Sequence, residues 1–421
     1  MSADGHLLII GSGTREYREQ LFESLADDNI WLISDQEPTW QKQYTAGHTT
    51  LPRLNAAQVS TNLSFLHDCV RSLASSVRIR GVLTFEEMFL PAANQVAEML
   101  GLPSLGRGVA ENCRDKERSR RLLTDAGLRQ PRFAFAPTAD AAEAIGADFG
   151  YPVVLKPRGL AGSVGVVLVR SAQEMAAGFS VAASAARDGA QRHGGGALVE
   201  EFLVGPEVAV DSAIVDGVIT PLFLVRKRFG PEPFFEETGQ SMDAADPLPA
   251  DEALVSMLQA AHSALGIRNG MTHTEVRLTA DGPVIVEVNG RLAGDFVPHL
   301  AKLAMGLDAA RIAAAVACGE PLPLERTRRR AAAHQIAYAD RDGVFNGISL
   351  PIRAAHPNLV DTGTLLAPGT AVALPPRGYM ARCGYVLVSA GTMEECERSL
   401  TAAVADMAVD ITPADGPEGG R

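Results

Sequence analysis

Short apolar runs alternate with stretches of helical periodicity over the first hundred residues. HLLIIGSG precedes REYREQLFESLADD, NIWLISD follows, and RIRGVLTF leads into LPAANQVAEMLG. That order predicts a parallel sheet with crossover helices. Gly11-Ser12-Gly13 closes the first run where a phosphate-binding turn would stand. Only two glycines of a dinucleotide fingerprint are present, so a plain tight turn is the favoured reading. From residue 115, DKERSRRLLTDAG reads as a charged helix with a terminal glycine, and the extended QPRFAFAP opens a new lobe. YPVVLKP and VGVVLVRS form a predicted hairpin around RGLAGS, and the polar, glycine-rich RDGAQRHGGG leads to the strand ALVEEFL. EVAVDSAIV and VITPLFLV are further strands. Residues 229–251, rich in Pro, Asp and Glu, read as a long surface loop. An amphipathic helix covers 251–265 and a helical run 299–318, and the RTRRR cluster at 326–330 reads as a solvated boundary. Beyond it, short strands and a late helix, TMEECERSLTAAVADM, predict a small α+β cap.

The segment HTEVRLTADGPVIVEVNGRLAGD, residues 273–295, is the most informative. Each of its two strands has one apolar face, and burying both on the same side requires Val276 to face Val286. That register leaves Ala280-Asp281-Gly282 as a three-residue loop and sets Glu275 opposite Glu287 and His273 opposite Asn289. Two carboxylates facing across a ladder repel unless a cation stands between them, and oxygen ligands of this kind suit Mg²⁺. Alone, the hairpin could also present an ordinary solvated face. Lys156, however, ends the strand YPVVLK just before the loop 158–165, where Gly159, Gly162 and Gly165 let the backbone approach a polyphosphate and Ser163 adds a hydroxyl.

Bulk properties narrow the function classes. A chain of 421 residues suits two or three lobes rather than one core. A net charge of -12 is wrong for a broad nucleic-acid-binding surface. The five cysteines are scattered, without a CxxC, which fits a reducing cytosol better than a disulfide framework or zinc site. No apolar run approaches a membrane span and the N-terminus lacks a signal-like pattern, so a cytoplasmic protein without membrane attachment is expected.

Strand-Lys156, a glycine loop, the acidic hinge LVEEFL, GPE shortly after, and E-x-R followed by E-V-N-G-R occur in fixed order. Over roughly residues 115 to 320 this order resembles the ATP-grasp superfamily. The resemblance implies an α/β multi-lobed ATP-grasp fold. A Rossmann-like N-terminal domain would span 1–113 and two α+β lobes gripping ATP 114–325, with the nucleotide-covering lobe at about 150–205. A small α+β C-terminal cap, like that of biotin-carboxylase relatives, would span 326–421. Carried over residue by residue, Lys156 would hold the α- and β-phosphates. Lys116, which by itself reads as a solvated lysine, matches the earlier nucleotide lysine. Gly162 and Ser163 would cover the phosphates, Glu200 or Glu201 would lie near the adenine amine, Leu203 would supply a backbone contact, and Glu207 would take the ribose hydroxyls. Glu275, Glu287 and Asn289 match the metal positions, and Arg291 matches the arginine that steadies the acyl-phosphate or tetrahedral intermediate. His273 would orient a substrate or act on the amine, or else be a structural histidine beside Asn289.

Within the superfamily the chain is similar to the L-amino-acid ligases, which make dipeptides, and to carnosine-synthase-like enzymes, on H-T-E at 273–275, N-G-R-L-A-G-D at 289–295 and F-E-E-T-G at 235–239. It departs from them at Gln240-Ser241, where a histidine would be expected to follow the glycine, which opens the question of substrate identity. The resemblance implies ATP with Mg²⁺, or Mn²⁺ in its stead, and small-molecule carboxylate and amine substrates, most simply amino acids. It admits a homodimer. The expected activity is amide formation, giving a dipeptide, through an acyl-phosphate with release of ADP and phosphate, and antibiotic biosynthesis is the setting the resemblance implies. The alternatives are a biotin-carboxylase-like or purine-biosynthetic ligase, or an inactive nucleotide-binding regulator.

Overall fold

The N-terminal apolar runs form a four-stranded parallel sheet. Its order is Thr45–Thr50, Ile30–Ser34, His6–Ile10, Ile79–Leu83, with helices Arg15–Ser24, Ser64–Ala74 and Leu90–Met99 between and after the strands. The architecture is read from a computed structural model that describes residues 5–52, 54, 63–189, 195–230, 232–375, 377–378 and 381–414. Half of the glycine-rich stretch read as RDGAQRHGGG, residues 190–194, lies outside the described residues. At the turn after the first strand, Gly13 N–H donates to the Glu86 carboxylate at 2.9 Å. The protein's own acid thus occupies the place a phosphate would take, and the plain-turn reading holds.

A second four-stranded sheet, ordered Phe133–Ala136, Ala197–Glu201, Val153–Lys156, Val167–Val169, makes the small lobe, with helices Ala139–Phe149 and Ala172–Gly189 attached. The two strands around the 158–165 loop pair antiparallel, as the hairpin reading requires.

The largest element is an eight-stranded sheet. Its strands run in the order Gly282–Asn289, Gly270–Thr279, Glu207–Val215, Val218–Phe229, Glu237–Asp243, Ala331–Tyr338, Arg382–Ala390, Leu359–Thr364. Two sequence expectations change here. Residues 229–251 are not one surface loop: Glu237–Asp243 is an inner strand pairing both the Val218–Phe229 strand and Ala331–Tyr338. Its composition, ETGQSMD, hides it, because Glu237 and Gln240 line the cavity and Met242 is its one side chain in the apolar core. The arginine cluster at 326–330 is extended and leads straight into Ala331–Tyr338, so the sheet continues through the expected cap boundary. The C-terminal residues also add a three-stranded sheet and the helix Met393–Ala405, capped by the Thr392 hydroxyl.

The helical run expected at 299–318 is two helices, Val297–Met305 and Ala309–Cys318. Gly306 takes a left-handed conformation between them, and the Asp308 side chain caps the second. These helices share one apolar core with the parallel sheet and the central sheet. Their small residues allow close approach: a Cβ on Gly81 would meet Cys318 Sγ at 2.6 Å. The N-terminal domain is thereby held against the sheet end that carries Arg291.

Candidate active site

Strand alternation and register decide which side chains meet. His273 pairs with Asn289 and Glu275 with Glu287, as the apolar pattern requires. Toward the tip the register slips by one, with a bulge after Glu275. Val276 therefore faces Ile285, not Val286, and the turn has two residues, Ala280 and Asp281, with Gly282 already paired to Thr279. Val286 is turned to line the cavity beside Glu287. On the neighbouring strand His273 lies across from Asp211, Glu275 from Ala209 and Arg277 from Glu207. Further along, Lys227 pairs with Gln240, which pairs with His334. One face of the central sheet thus presents a continuous field of charged and polar groups, with the small lobe closing over it.

The thirteen residues given site roles by the resemblance line this one cavity, from Lys116, Lys156 and the Gly162-Ser163 tip, through Glu200, Glu201, Leu203 and Glu207, to His273, Glu275, Glu287, Asn289 and Arg291, whereas Gly159 and Gly165 of the loop do not. Their pairing differs from the simple expectation. Glu275 and Glu287 are each matched by a lysine: Lys227 Nζ lies 3.1 Å from Glu275, and Lys116 Nζ donates to Glu287 at 3.0 Å and also to the Leu160 carbonyl. The like-charge conflict inferred from the ladder is therefore offset by cations from two other elements. Lys116 is buried rather than solvated, because Asp115 caps its helix and pairs with Arg158, drawing the helix start under the phosphate loop.

Glu200 is fully buried between Arg120, whose Nε and Nη2 reach its oxygens at 2.7 and 3.1 Å, and Lys156 at 2.7 Å. Burial would raise this carboxyl, but the Arg120 and Lys156 charges outweigh it and hold the group at about 2. Glu200 is thus committed to fixing Lys156. Glu201 accepts from the Arg132 backbone at 3.2 Å. Glu207 is paired with Lys227 at 2.6 Å and Arg277 at 2.8 Å. His273 Nδ1 lies 2.6 Å from Asp211, whose other oxygen accepts from Ala293 N–H at 2.9 Å. Burial works against the imidazolium, yet Asp211 raises its affinity for a proton overall. The histidine is held by Asp211 and not by Asn289. Arg291 is oriented by Glu87 from the N-terminal domain, at 2.9 Å.

Several residues escaped the sequence reading. Lys227 is enclosed by Glu207, Glu237 and Glu275, and is held protonated by them against the cost of burial. Its signal was strand parity, since it falls two residues after the buried Val225 and so on the inward face. Arg120 donates to Glu200 and to the carbonyls of Ile285 and Val286, both at 2.8 Å, joining lobe, helix and hairpin. Asp211, Glu237, Asp295 and Arg382 come from four separate segments, and no local pattern could assemble them.

The carboxylates of Glu275 and Glu287 and the Asn289 amide line the cavity together and could offer oxygen ligands of the kind Mg²⁺ takes. Among the described residues no three His, Cys, Asp or Glu side chains make a closed metal cage. No helix of the described chain is long and apolar enough to cross a membrane.

Family models match three segments: an ATP-grasp N-terminal domain at residues 30–104, an ATP-grasp domain at 149–299, and the L-amino acid ligase C-terminal domain 2 at 335–412. A Sinorhizobium fredii protein, y4rH, is 31% identical over 367 residues, covering 86% of this chain and 74% of that one. The alanine–anticapsin ligase of Bacillus subtilis is 27% identical over 255 residues, 56% of this chain and 53% of the ligase, so the match spans about half of that relative. The crystal structure of the L-amino acid ligase from Bacillus licheniformis superposes with a TM-score of 0.78 at 24% identity, covering 98% of this chain and 100% of that one, a likeness of fold. The chain belongs to the ATP-grasp superfamily of carboxylate–amine ligases, as an enzyme of the L-amino acid ligase kind.

Proposed function

We propose that the protein uses ATP to join the carboxylate of one amino acid to the amine of another, through an acyl-phosphate, with release of ADP and orthophosphate. The observation that carries this reading is convergence: two lysines, a glycine-bearing loop, a carboxylate pair with an amide, and an oriented arginine and histidine line a single cavity. Lys156, anchored by Glu200, and Lys116 supply positive charge for the phosphates, and the tip at Gly162 and Ser163 covers them. Phe202, Phe229 and Phe235 pack ring against ring beside the hinge, offering a wall for the purine, and Leu203 supplies a backbone contact there. Glu201 is the hinge carboxylate nearest solvent, and Glu207 would meet the ribose hydroxyls.

Mg²⁺, or Mn²⁺ in its place, held by Glu275, Glu287 and Asn289, would neutralise phosphate oxygens when bound. Arg291, steadied by Glu87, stabilises the charge that builds on the acyl centre as the amine adds. His273, fixed through Nδ1 by Asp211, presents Nε2 on the Glu275 side, 3.9 Å from that carboxylate, where it can orient the amine or take its proton. No protein nucleophile is required.

The test is phosphate release with Mg-ATP across a matrix of amino-acid pairs, with mass spectrometry of the products. ADP and phosphate formed one-to-one with a dipeptide are expected. Stoichiometric AMP would remove the acyl-phosphate route.

A further inference from the structure

Dipeptide formation involves two carboxylates with opposite needs, and this inference rests on that reading of the function. The carboxylate to be activated must reach the γ-phosphate, beside the metal ligands and lysines. The carboxylate of the amine donor keeps its charge throughout, and burying it requires a cation that the nucleotide does not use. Most cations of the cavity are committed: Arg120 to Glu200, Arg277 to Glu207, Arg291 to Glu87, and Lys227 to three glutamates.

Arg382 comes from the C-terminal segment. It enters the same cavity from the strand Arg382–Ala390, and its one carboxylate partner among the described residues is Asp295, bonded to Nη1. The guanidinium lies 6.0 Å from the Tyr338 ring and beside the Tyr17 phenol. A guanidinium has five donors in a planar fork that matches a carboxylate; bonds to Asp295 and to the Tyr17 and Tyr338 hydroxyls use part of the fork and leave the remaining donors to the cavity it lines. Asp295 sits in the left-handed region, at φ 47°, a backbone state that persists only where the surroundings enforce it. Nearby Glu237 lines the cavity, and Glu236, without an ion-pair partner among the described residues, is raised by burial to about 7. This end of the site thus offers one arginine flanked by several acids, the complement of a zwitterion.

We propose that Arg382, held by Asp295, recognises the free α-carboxylate of the amine-donating amino acid, while Asp295 and Glu237 receive its ammonium as it enters. The C-terminal segment is then a specificity element for the second substrate, and the product is a peptide with a free C-terminal carboxylate. A purely structural Arg382–Asp295 tie would make no distinction among amine donors.

The experiment compares an amino acid, its carboxamide and its methyl ester as amine donors at a fixed acyl substrate, with hydroxylamine trapping of the activated acyl group run in parallel. In the wild type, kcat/KM for the carboxamide should fall roughly ten- to hundredfold below the amino acid, the loss expected for one charge-assisted recognition contact. In Arg382→Gln the ratio of amino acid to carboxamide should collapse toward one, with partial recovery in Arg382→Lys. The ratio is read within one protein, so reduced folding yield does not imitate the effect, and the wild-type comparison stands even if the variant fails to fold. A carboxamide as good as the parent amino acid in the wild type overturns the proposal. So does an unchanged ratio in Arg382→Gln, or a raised KM for the acyl substrate in the hydroxylamine assay. Absence of any hydroxamate from the wild type overturns the ligase reading itself, and the proposal with it.

Discussion

Glu275→Gln and Glu287→Gln remove the same charge from facing positions of one ladder, yet the structure gives them unequal costs. Glu287 is the one carboxylate partner, among the described residues, of Lys116, whose side chain is 9% exposed. Removing one member of a buried pair costs about 3–5 kcal/mol when the other charge is stranded. A glutamine retains a neutral hydrogen bond worth about 1 kcal/mol, and the cavity admits water to the lysine, so about 2 kcal/mol is the expected loss. Glu275 shares Lys227 with Glu207 and Glu237, each at 2.6 Å, so its replacement leaves the lysine doubly paired and relieves repulsion from Glu237. Against burial, the Lys227 and His273 charges hold the Glu275 carboxyl at about 2, so its charge favours the fold, and the expected loss is about 1 kcal/mol, below that of Glu287→Gln because no cation is left stranded. Urea denaturation of metal-free, nucleotide-free protein, followed by circular dichroism, should move the midpoint clearly downward for Glu287→Gln and little for Glu275→Gln. Midpoints are the proper readout in a chain of several domains. Both variants should lose turnover by roughly 100-fold or more and demand higher Mg²⁺. Equal stability of the two variants would refute the lysine-pairing argument, and an active double variant would refute the metal assignment.

Arg120→Met should destabilise the protein by about 2–3 kcal/mol, since it leaves the buried Glu200 with Lys156 alone and frees two hairpin carbonyls; a denaturation midpoint equal to wild type would contradict the role given to that residue. Amide exchange should slow at 161–165 on binding a non-hydrolysable ATP analogue, while the loop base changes little, because Lys116 N–H already donates to the Arg158 carbonyl at 2.9 Å and Arg158 pairs with Asp115. Equal exchange at the tip with and without the analogue would count against the loop's role. Acid should destabilise the fold early: burial lowers His262 to about 4 and His334 to about 3, so the unfolded chain takes up these protons first. A depressed folded value contributes stability present above about pH 6.5 and lost as pH falls toward 4 and then 3, at up to about 1.4 kcal/mol per pH unit for each imidazole. Melting curves from pH 7 to 4 check this, and His262→Gln should flatten the slope.

The sequence pattern revealed the site better than it revealed the lobes around it. Hairpin parity was enough to bring Glu275 against Glu287 and His273 against Asn289, because one-sided burial admits no other register at that end. It failed at the tip, since a bulge costs little locally and leaves no periodic trace. The strand Glu237–Asp243 was invisible because Glu237 and Gln240 line the cavity and Met242 is its one side chain in the apolar core, and hydrophobic alternation is the signal that such strands lack. Counter-charges were out of reach for another reason. Lys227 and Arg382 meet Glu275 and Asp295 only through the strand order of the central sheet, which local patterns do not encode. The expected clash of two glutamates was right as local physics and incomplete as an account, because each lysine that resolves it comes from another element.

The central claim is that a carboxylate is phosphorylated in this cavity before any amine reacts. ATP labelled with ¹⁸O at the β,γ-bridge, incubated with enzyme, Mg²⁺ and the acyl amino acid alone, tests it directly. Reversible transfer of the γ-phosphoryl group should scramble the label from the bridge to non-bridging positions of the β-phosphate, and omitting the acyl substrate should stop it. Stoichiometric AMP and pyrophosphate, or turnover with both substrates in which no scrambling ever requires the acyl substrate, would contradict the account.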